Sequence, residues 1–133
     1  MPSTPLLELL YVSTLAPDQR PTVVGQIVAQ ARARNAERGI TGLLVFDGIH
    51  FCQHLEGTPE VVTTLMTRIQ QDGRHQGVRV LYQGERDERR YQRFDLGFAQ
   101  SDEPDDMAGI HALEGSAALE RFLVLRPGFY ING

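Results

Sequence analysis

Apolar positions along this chain follow two rhythms. Residues 6–13, "LLELLYVS", form a short apolar run bounded by Pro5 and the Ala16-Pro17-Asp18 turn, which predicts a buried strand. From about Thr22 to Arg38 the spacing lengthens to three and four residues: Val24, Ile27, Val28, Ala31 and Asn35 make one stripe of a helix, and Gly39 stands where it should end. Alternation returns in residues 39–57, "GITGLLVFDGIHFCQHLEG", read as two strands joined at Asp47-Gly48, a pair that supplies the positive φ angles of a two-residue turn. Ile49, Phe51, Gln53 and Leu55 then point one way, and His50, Cys52, His54 and Glu56 the other. Thr58 is placed as an N-cap with Pro59 at the first helical position, for a helix to about Asp72 with Val61, Leu65, Arg68 and Ile69 along one side. Two further strands follow, "GVRVLYQ" at 77–83 and "RFDLGF" at 93–98, the second with Phe94, Leu96 and Phe98 on one face.

The order βαββαββ predicts a ferredoxin-like α+β sandwich, its two helices on one face of the sheet. Residues 1–100 make that domain and 101–133 a tail. In the tail "SDEPDDM" reads as an acidic linker, and Ile110, Leu113, Ala117 and Phe122 allow one or two short helices before Pro127-Gly128. Those helices would cover the other sheet face, or pair with a second copy or another protein. A chain of 133 residues suits a single core. Its formal net charge of −4 argues against nucleic acid or an anionic membrane as partner. No apolar run approaches bilayer length, no signal segment opens the chain, and a single cysteine excludes an internal disulfide, so the expected compartment is the cytoplasm. Arg86, Arg89, Arg90 and Arg93, interleaved with Asp87 and Glu88, read as a solvated loop.

Three polar residues fall on faces that should be buried. Gln53 shares the inner face of its strand, Asn35 completes the stripe of the first helix, and Tyr11 alternates with Leu7, Leu9 and Ser13. Buried amides need partners for their donors and acceptor. A phenol and two amides under one layer, without a charge among them, suit a flat polar heterocycle held between the helices. Arg68 borders the second apolar stripe, four residues before Asp72, a spacing that suggests a surface ion pair. His50, Cys52 and His54 look like metal ligands, but alternate strand residues lie roughly 6.5–7 Å apart and all three cannot close on one zinc. No paired nucleophile and base is recognisable, and Gly42, Gly48 and Gly57 do not form a phosphate-cradling loop.

At these residues the sequence resembles the BLUF family, the blue-light sensors that use FAD. "ELLYVS", "ARNAERGITGLLVFDGIHFCQHLEG", "DGRH" and "RRYQRFDLGF" carry the resemblance, in order, over roughly residues 6 to 100. It implies a non-enzymatic photoreceptor with a flavin ring between the two helices: FAD, with FMN or riboflavin as alternatives. Tyr11 is similar to the family's photoactive tyrosine and Gln53 to the glutamine between tyrosine and flavin. Asn35 would bond the polar edge of the ring, and Arg68 matches a basic position near the flavin's side chain or phosphate end. The implied photocycle moves an electron and a proton from Tyr11 to the excited flavin and back, after the Gln53 amide has rotated or tautomerised, leaving a red-shifted state that a downstream protein reads. Where the family usually carries tryptophan and methionine on its last strand, the relay positions here are Phe94 and Leu96, which lack the indole N–H and the sulfur.

Apolar residues in the tail point to a homo-oligomer or a docking surface, with a simple sheet cap as the other reading. Two rival functions are a ferredoxin-like protein-binding module that has lost its flavin or its light response, and an acylphosphatase-style enzyme with an Arg-Asn anion site.

Overall fold

The structure is a computed structural model that describes residues 5–91, 97–101, 103–126 and 130–132. Its elements are β1 (Leu6–Leu15), α1 (Val23–Arg38), β2 (Thr41–Phe46), β3 (His50–Gly57), α2 (Pro59–Gln71), β4 (His75–Arg86), β5 (Gly97–Gln100), α3 (Pro104–His111), α4 (Gly115–Leu125) and β6 (Tyr130–Asn132). The sheet runs β4-β1-β3-β2-β5-β6. β5 lies parallel to β2, and the other neighbouring strands pair antiparallel. This is the expected ferredoxin-like α+β fold, extended by β6, which the hydrophobic periodicity did not predict. Of the strand expected over 93–98, residues 93–96, with the relay positions Phe94 and Leu96, lie outside the described residues.

Alternation sorts each central strand between two layers. Leu7, Leu9 and Tyr11 of β1 and Leu55 of β3 pack against Val62, Leu65 and Met66 of α2. Leu44, Phe46 and Phe51 pack against Val24, Val28 and Ala31 of α1. Even-numbered β1 and β3 residues, Leu10, Val12 and Cys52, face the other way and join Leu43, Val45 and Ala99 beneath Met107 and Ile110 of α3 and Ala118 and Phe122 of α4. The tail therefore covers the second face of the sheet.

Several local readings need correction. The hairpin turn sits one residue later than Asp47-Gly48. Asp47 N donates to His50 O at 3.2 Å, so Gly48 and Ile49 are the loop residues, and only Gly48 has positive φ, at 102°. The Asp47 carboxylate fixes this turn by accepting from the backbone N–H of Ile49 and His50, at 2.9 and 2.6 Å, a local bond that aspartate makes readily. Ile49 consequently leaves the inner face and is 62% exposed. On α2 the buried side is turned from the expected one, with Val61 and Ile69 at its margin and Arg68 in solvent. The acidic stretch is not all linker, because Asp105 and Asp106 belong to the first turn of α3, where carboxylates complement the helix dipole. In α4, Ala118 and Leu119 are buried and Ala117 is exposed.

The arginine-rich loop is not simply solvated. Arg89 donates to Thr41 Oγ1 and to the carbonyl oxygens of Gly39 and Glu56, and Arg90 Nε donates to Glu8 Oε1 at 2.5 Å. Buried carboxylates on the sheet need charge-assisted donors, and this loop supplies them.

Candidate functional site

A cleft of about 530 Å³, counting the space at its mouth, opens between α1, α2 and the inner sheet face. Its floor comes from the sheet: Tyr11 of β1, and Phe51 and Gln53 of β3 beside Leu44 of β2. Its sides come from Ala31, Arg34 and Asn35 of α1 and from Leu65 and Ile69 of α2, and Asp72, Arg74 and His75 follow α2 at the rim. Tyr11 and Gln53 are direct neighbours across the β1–β3 ladder, which brings the two side chains together on the same face. Tyr11 Oη donates to Gln53 Oε1 at 2.5 Å, and both residues are buried. Burial, helped by the nearby Cys52 and Asp72, holds the Tyr11 phenol well above the ordinary tyrosine range, so its proton stays on at neutral pH.

Asn35 is 1% exposed, and among the described residues neither its Nδ2 nor its Oδ1 has a hydrogen-bond partner. The Nε of Arg34, the preceding residue, is likewise buried and unpartnered. Buried polar atoms are ordinarily satisfied, so orphaned donors and an orphaned acceptor at one wall of a cleft suit a ligand with polar atoms of both kinds. Apolar Leu44, Phe51, Leu65 and Ile69 offer flat, dry contact beside them. The residues present thus fit a planar heterocycle with a polar edge.

The rim is organised by Asp72. Its carboxylate accepts from Arg74 Nε and Nη2 at 2.9 and 2.7 Å, and these bonds hold its pKa below the usual carboxylate range. Arg74, rather than Arg68, is the partner of Asp72, since it can reach both carboxylate oxygens from two residues away. Arg68 does not contribute to the cleft lining. His75 Nε2 donates to Ile69 O at 2.6 Å, leaving Nδ1 to accept from Ser13 Oγ at 2.8 Å, which ties the rim to β1.

The structure therefore brings together Tyr11, Asn35 and Gln53, and sets Arg68 apart. Sequence reasoning missed Arg34 and His75. Arg34 was findable, because Ile27, Ala31 and Arg34 recur at four and three residues and share the cleft side of α1. Behind the sheet His54 is no metal ligand candidate: Nε2 donates to Glu8 Oε1 at 2.7 Å, and Nδ1 lies 2.6 Å from the Tyr91 hydroxyl. Cys52 is fully buried in the rear core, where burial pushes its thiol pKa up and away from reactivity.

The family model for BLUF, sensors of blue-light using FAD, matches residues 6–97. This chain belongs to the BLUF family. The family is one of sensors that detect blue light with a flavin. Among BLUF relatives, the blue light- and temperature-regulated antirepressor BluF of Escherichia coli (strain K12) is 37% identical over 73 residues, covering 55% of this chain and 18% of that protein. The chain thus spans less than a fifth of that relative's length. Among solved BLUF structures, the photo-activated state of BlsA superposes with a TM-score of 0.77 at 27% identity, covering 89% of this chain and 91% of that one. Klebsiella pneumoniae BlrP1 with FMN and cyclic diGMP gives 0.66 at 36% identity, over 73% of this chain and 26% of that one. No helix among the described residues is long and apolar enough to cross a membrane.

Proposed function

We propose that this BLUF chain holds FAD non-covalently in the cleft, with FMN and riboflavin as alternative occupants, and converts blue light into a rearranged hydrogen-bond network read by another protein in the cytoplasm. The observation that carries this reading is the buried Tyr11–Gln53 hydrogen bond at the cleft floor, facing the unpartnered amide of Asn35. A bound flavin would supply the light absorption and a transient electron acceptor. Tyr11 would be the electron donor, and its Oη–H is already directed at Gln53 Oε1, so a departing proton has an acceptor in place. Gln53 presents an oxygen to Tyr11 and keeps its Nε2–H group for the ring. Turning the amide, or moving its proton, exchanges the donor and acceptor offered to each side. Asn35 anchors the polar edge of the ring, and the apolar walls exclude water from the exchange. Arg68, outside the lining, is left for the phosphate end of a ligand that reaches past the mouth.

We further propose that residues 1–100 act as the photosensor and residues 101–133 as its cap and interaction segment, with Phe94 and Leu96 as a relay that transmits weakly for want of indole and sulfur. Tyr11→Phe should retain bound flavin, because it removes one oxygen and keeps the ring, and should lose the light-induced red shift. Light-minus-dark absorption of the purified variant tests this, and a full red shift in Tyr11→Phe would refute the donor role.

A further inference from the structure

We infer that a second cleft, between the N-terminal end of α1 and the ends of β2 and β5, is a binding site for a small uncharged aromatic molecule that carries a carbonyl oxygen. The cleft has about 870 Å³ of space, counting its mouth, and among the described residues it shares no lining residue with the cleft of Tyr11 and Gln53. Ser101, directly after β5, belongs to its lining and is only 8% exposed. Its backbone N–H donates to Phe46 O at 3.2 Å, but its Oγ has no hydrogen-bond partner among the described residues. A buried hydroxyl left unpaired is costly, so the atom that completes it belongs to whatever fills the cleft.

The end of α1 asks for the same kind of atom. Thr22 stands at the N-cap with helical angles, φ −63° and ψ −19°, rather than the extended ones from which a threonine caps, and its side chain accepts nothing from the first turn. The N–H groups of Val23 and Val24 turn back onto Arg20 O and Pro21 O, and no acidic residue stands in that turn, so the positive end of the helix dipole is uncompensated where Thr22, Val24 and Gly25 line the cleft. Nothing lies within 4 Å of where a Cβ on Gly25 would stand, which lets a ligand come close to the helix backbone there. The walls are apolar: Phe46 and Phe98 offer ring surface beside Val24, which suits a flat aromatic body. Charge then narrows the class. Asp47 also lines the cleft, and its bonds from His50 and Ile49 outweigh burial and hold its pKa below the usual aspartate range, so it is ionised at neutral pH and opposes an anion. No basic side chain stands in the lining among the described residues to offset it. A cation fares no better, because Asp47 already accepts from the N–H groups of Ile49 and His50 and from His50 Nδ1, and the helix end repels positive charge. A neutral carbonyl accepts from the Ser101 hydroxyl and the helix end without either penalty.

Benzamide is the probe, with benzoate and benzylamine as its anionic and cationic counterparts, each titrated into the full chain with and without saturating FMN and followed by amide NMR. Benzamide should shift the amide signals of residues 22–25, 46–48 and 98–101 saturably, to the same extent with FMN present, and should bind about tenfold more tightly than either charged counterpart. Ser101→Ala should weaken benzamide about fivefold through the lost hydrogen bond. The same variant should melt no lower than the unaltered chain when both are free, because the hydroxyl it removes has no partner there. Gly25→Leu, which places a side chain where the structure leaves room, should abolish binding. Absence of saturable benzamide binding would overturn the inference, as would displacement of benzamide by FMN, which would put the probe in the other cleft. Benzoate or benzylamine binding as tightly as benzamide would overturn the uncharged class. An unaltered affinity in Ser101→Ala, or a lower melting midpoint of the free variant, would make that hydroxyl a structural group and overturn its role as the anchor.

Discussion

Glu8, His54 and Glu56 show how single residues at the back of the sheet hold the site from behind. Glu8 and Glu56 are direct partners across β1 and β3, and two carboxylates so placed would repel unless each found its own donors. Glu8 accepts from His54 Nε2 and Arg90 Nε, while Glu56 accepts from Thr41 Oγ1 and from the backbone N–H groups of Arg90 and Tyr91. Burial alone would raise the Glu8 pKa, but the bonds from His54 and Arg90 outweigh it, and the net shift is downward. A depressed folded-state value means that Glu8 contributes stability above the carboxylate range of the unfolded chain and loses it as pH falls through the folded value. Urea midpoints measured from pH 7 to pH 3 should therefore fall more steeply for the unaltered chain than for Glu8→Gln. At pH 7 the variant should be less stable by about 3 kcal/mol, since it leaves buried donors and Arg90 without their anion. Parallel pH curves would contradict this account. The network was only partly legible in the sequence. Glu8 interrupts the Leu-rich first strand on the face of Leu10 and Val12, the same kind of signal that singled out Gln53, but its partner Arg90 lies in a loop that composition alone marks as solvated.

At the scale of elements, the site depends on β3 being threaded closely between β1 and β2. Gly42 of β2 makes this approach possible: a Cβ added there would stand 2.2 Å from the carbonyl oxygen of His54, a backbone atom that cannot swing aside. His54 directly follows Gln53, so pushing β2 away at this point would disturb the strand that carries the glutamine. Gly42→Ala should destabilise the fold by about 3 kcal/mol and loosen flavin binding, checked by thermal melting with and without FMN. Retention of the parent midpoint would show that the strands can separate freely there. Element types were legible because each apolar run kept one period, 2 in the strands and 3.6 in α1 and α2. Exact faces were less so. The buried side of α2 centres on Val62, Leu65 and Met66, a choice made by how the helix lies across β1 and β3 rather than by its own pattern.

For the whole molecule, the sheet is covered on both faces, and the rear cover is supplied by the tail. Met107, Ile110, Ala118 and Phe122, all 0% exposed, complete the core formed by Leu10, Val12, Leu43, Val45 and Cys52. Arg79 of β4 fastens the α3–α4 corner by donating to His111 O and to Glu114. The apolar tail residues that suggested a homo-oligomer are in large part spent within the chain. Among the described residues the exposed large apolar side chains, Ile49, Val80 and Val124, occur on the hairpin, β4 and α4 respectively. Removing residues 102–133 should strip the rear face, so the shortened chain should aggregate or unfold without a cooperative transition. A soluble, cooperatively folding truncation would show that the tail is dispensable to the core. The family resemblance was readable in advance because most of its motif residues lie on β1, α1 and the hairpin. The tail's destination was not, since an apolar helix looks the same whether it covers its own sheet or another protein.

The central claim is most directly tested by the absorption spectrum of the purified chain loaded with FAD, recorded in the dark, under blue light and during dark recovery. A structured flavin band that shifts to the red on illumination and returns in the dark is the expected result. A bound flavin whose band does not move would contradict photoreception through the Tyr11–Gln53 pair, and a chain that holds no flavin would contradict the assignment of the cleft.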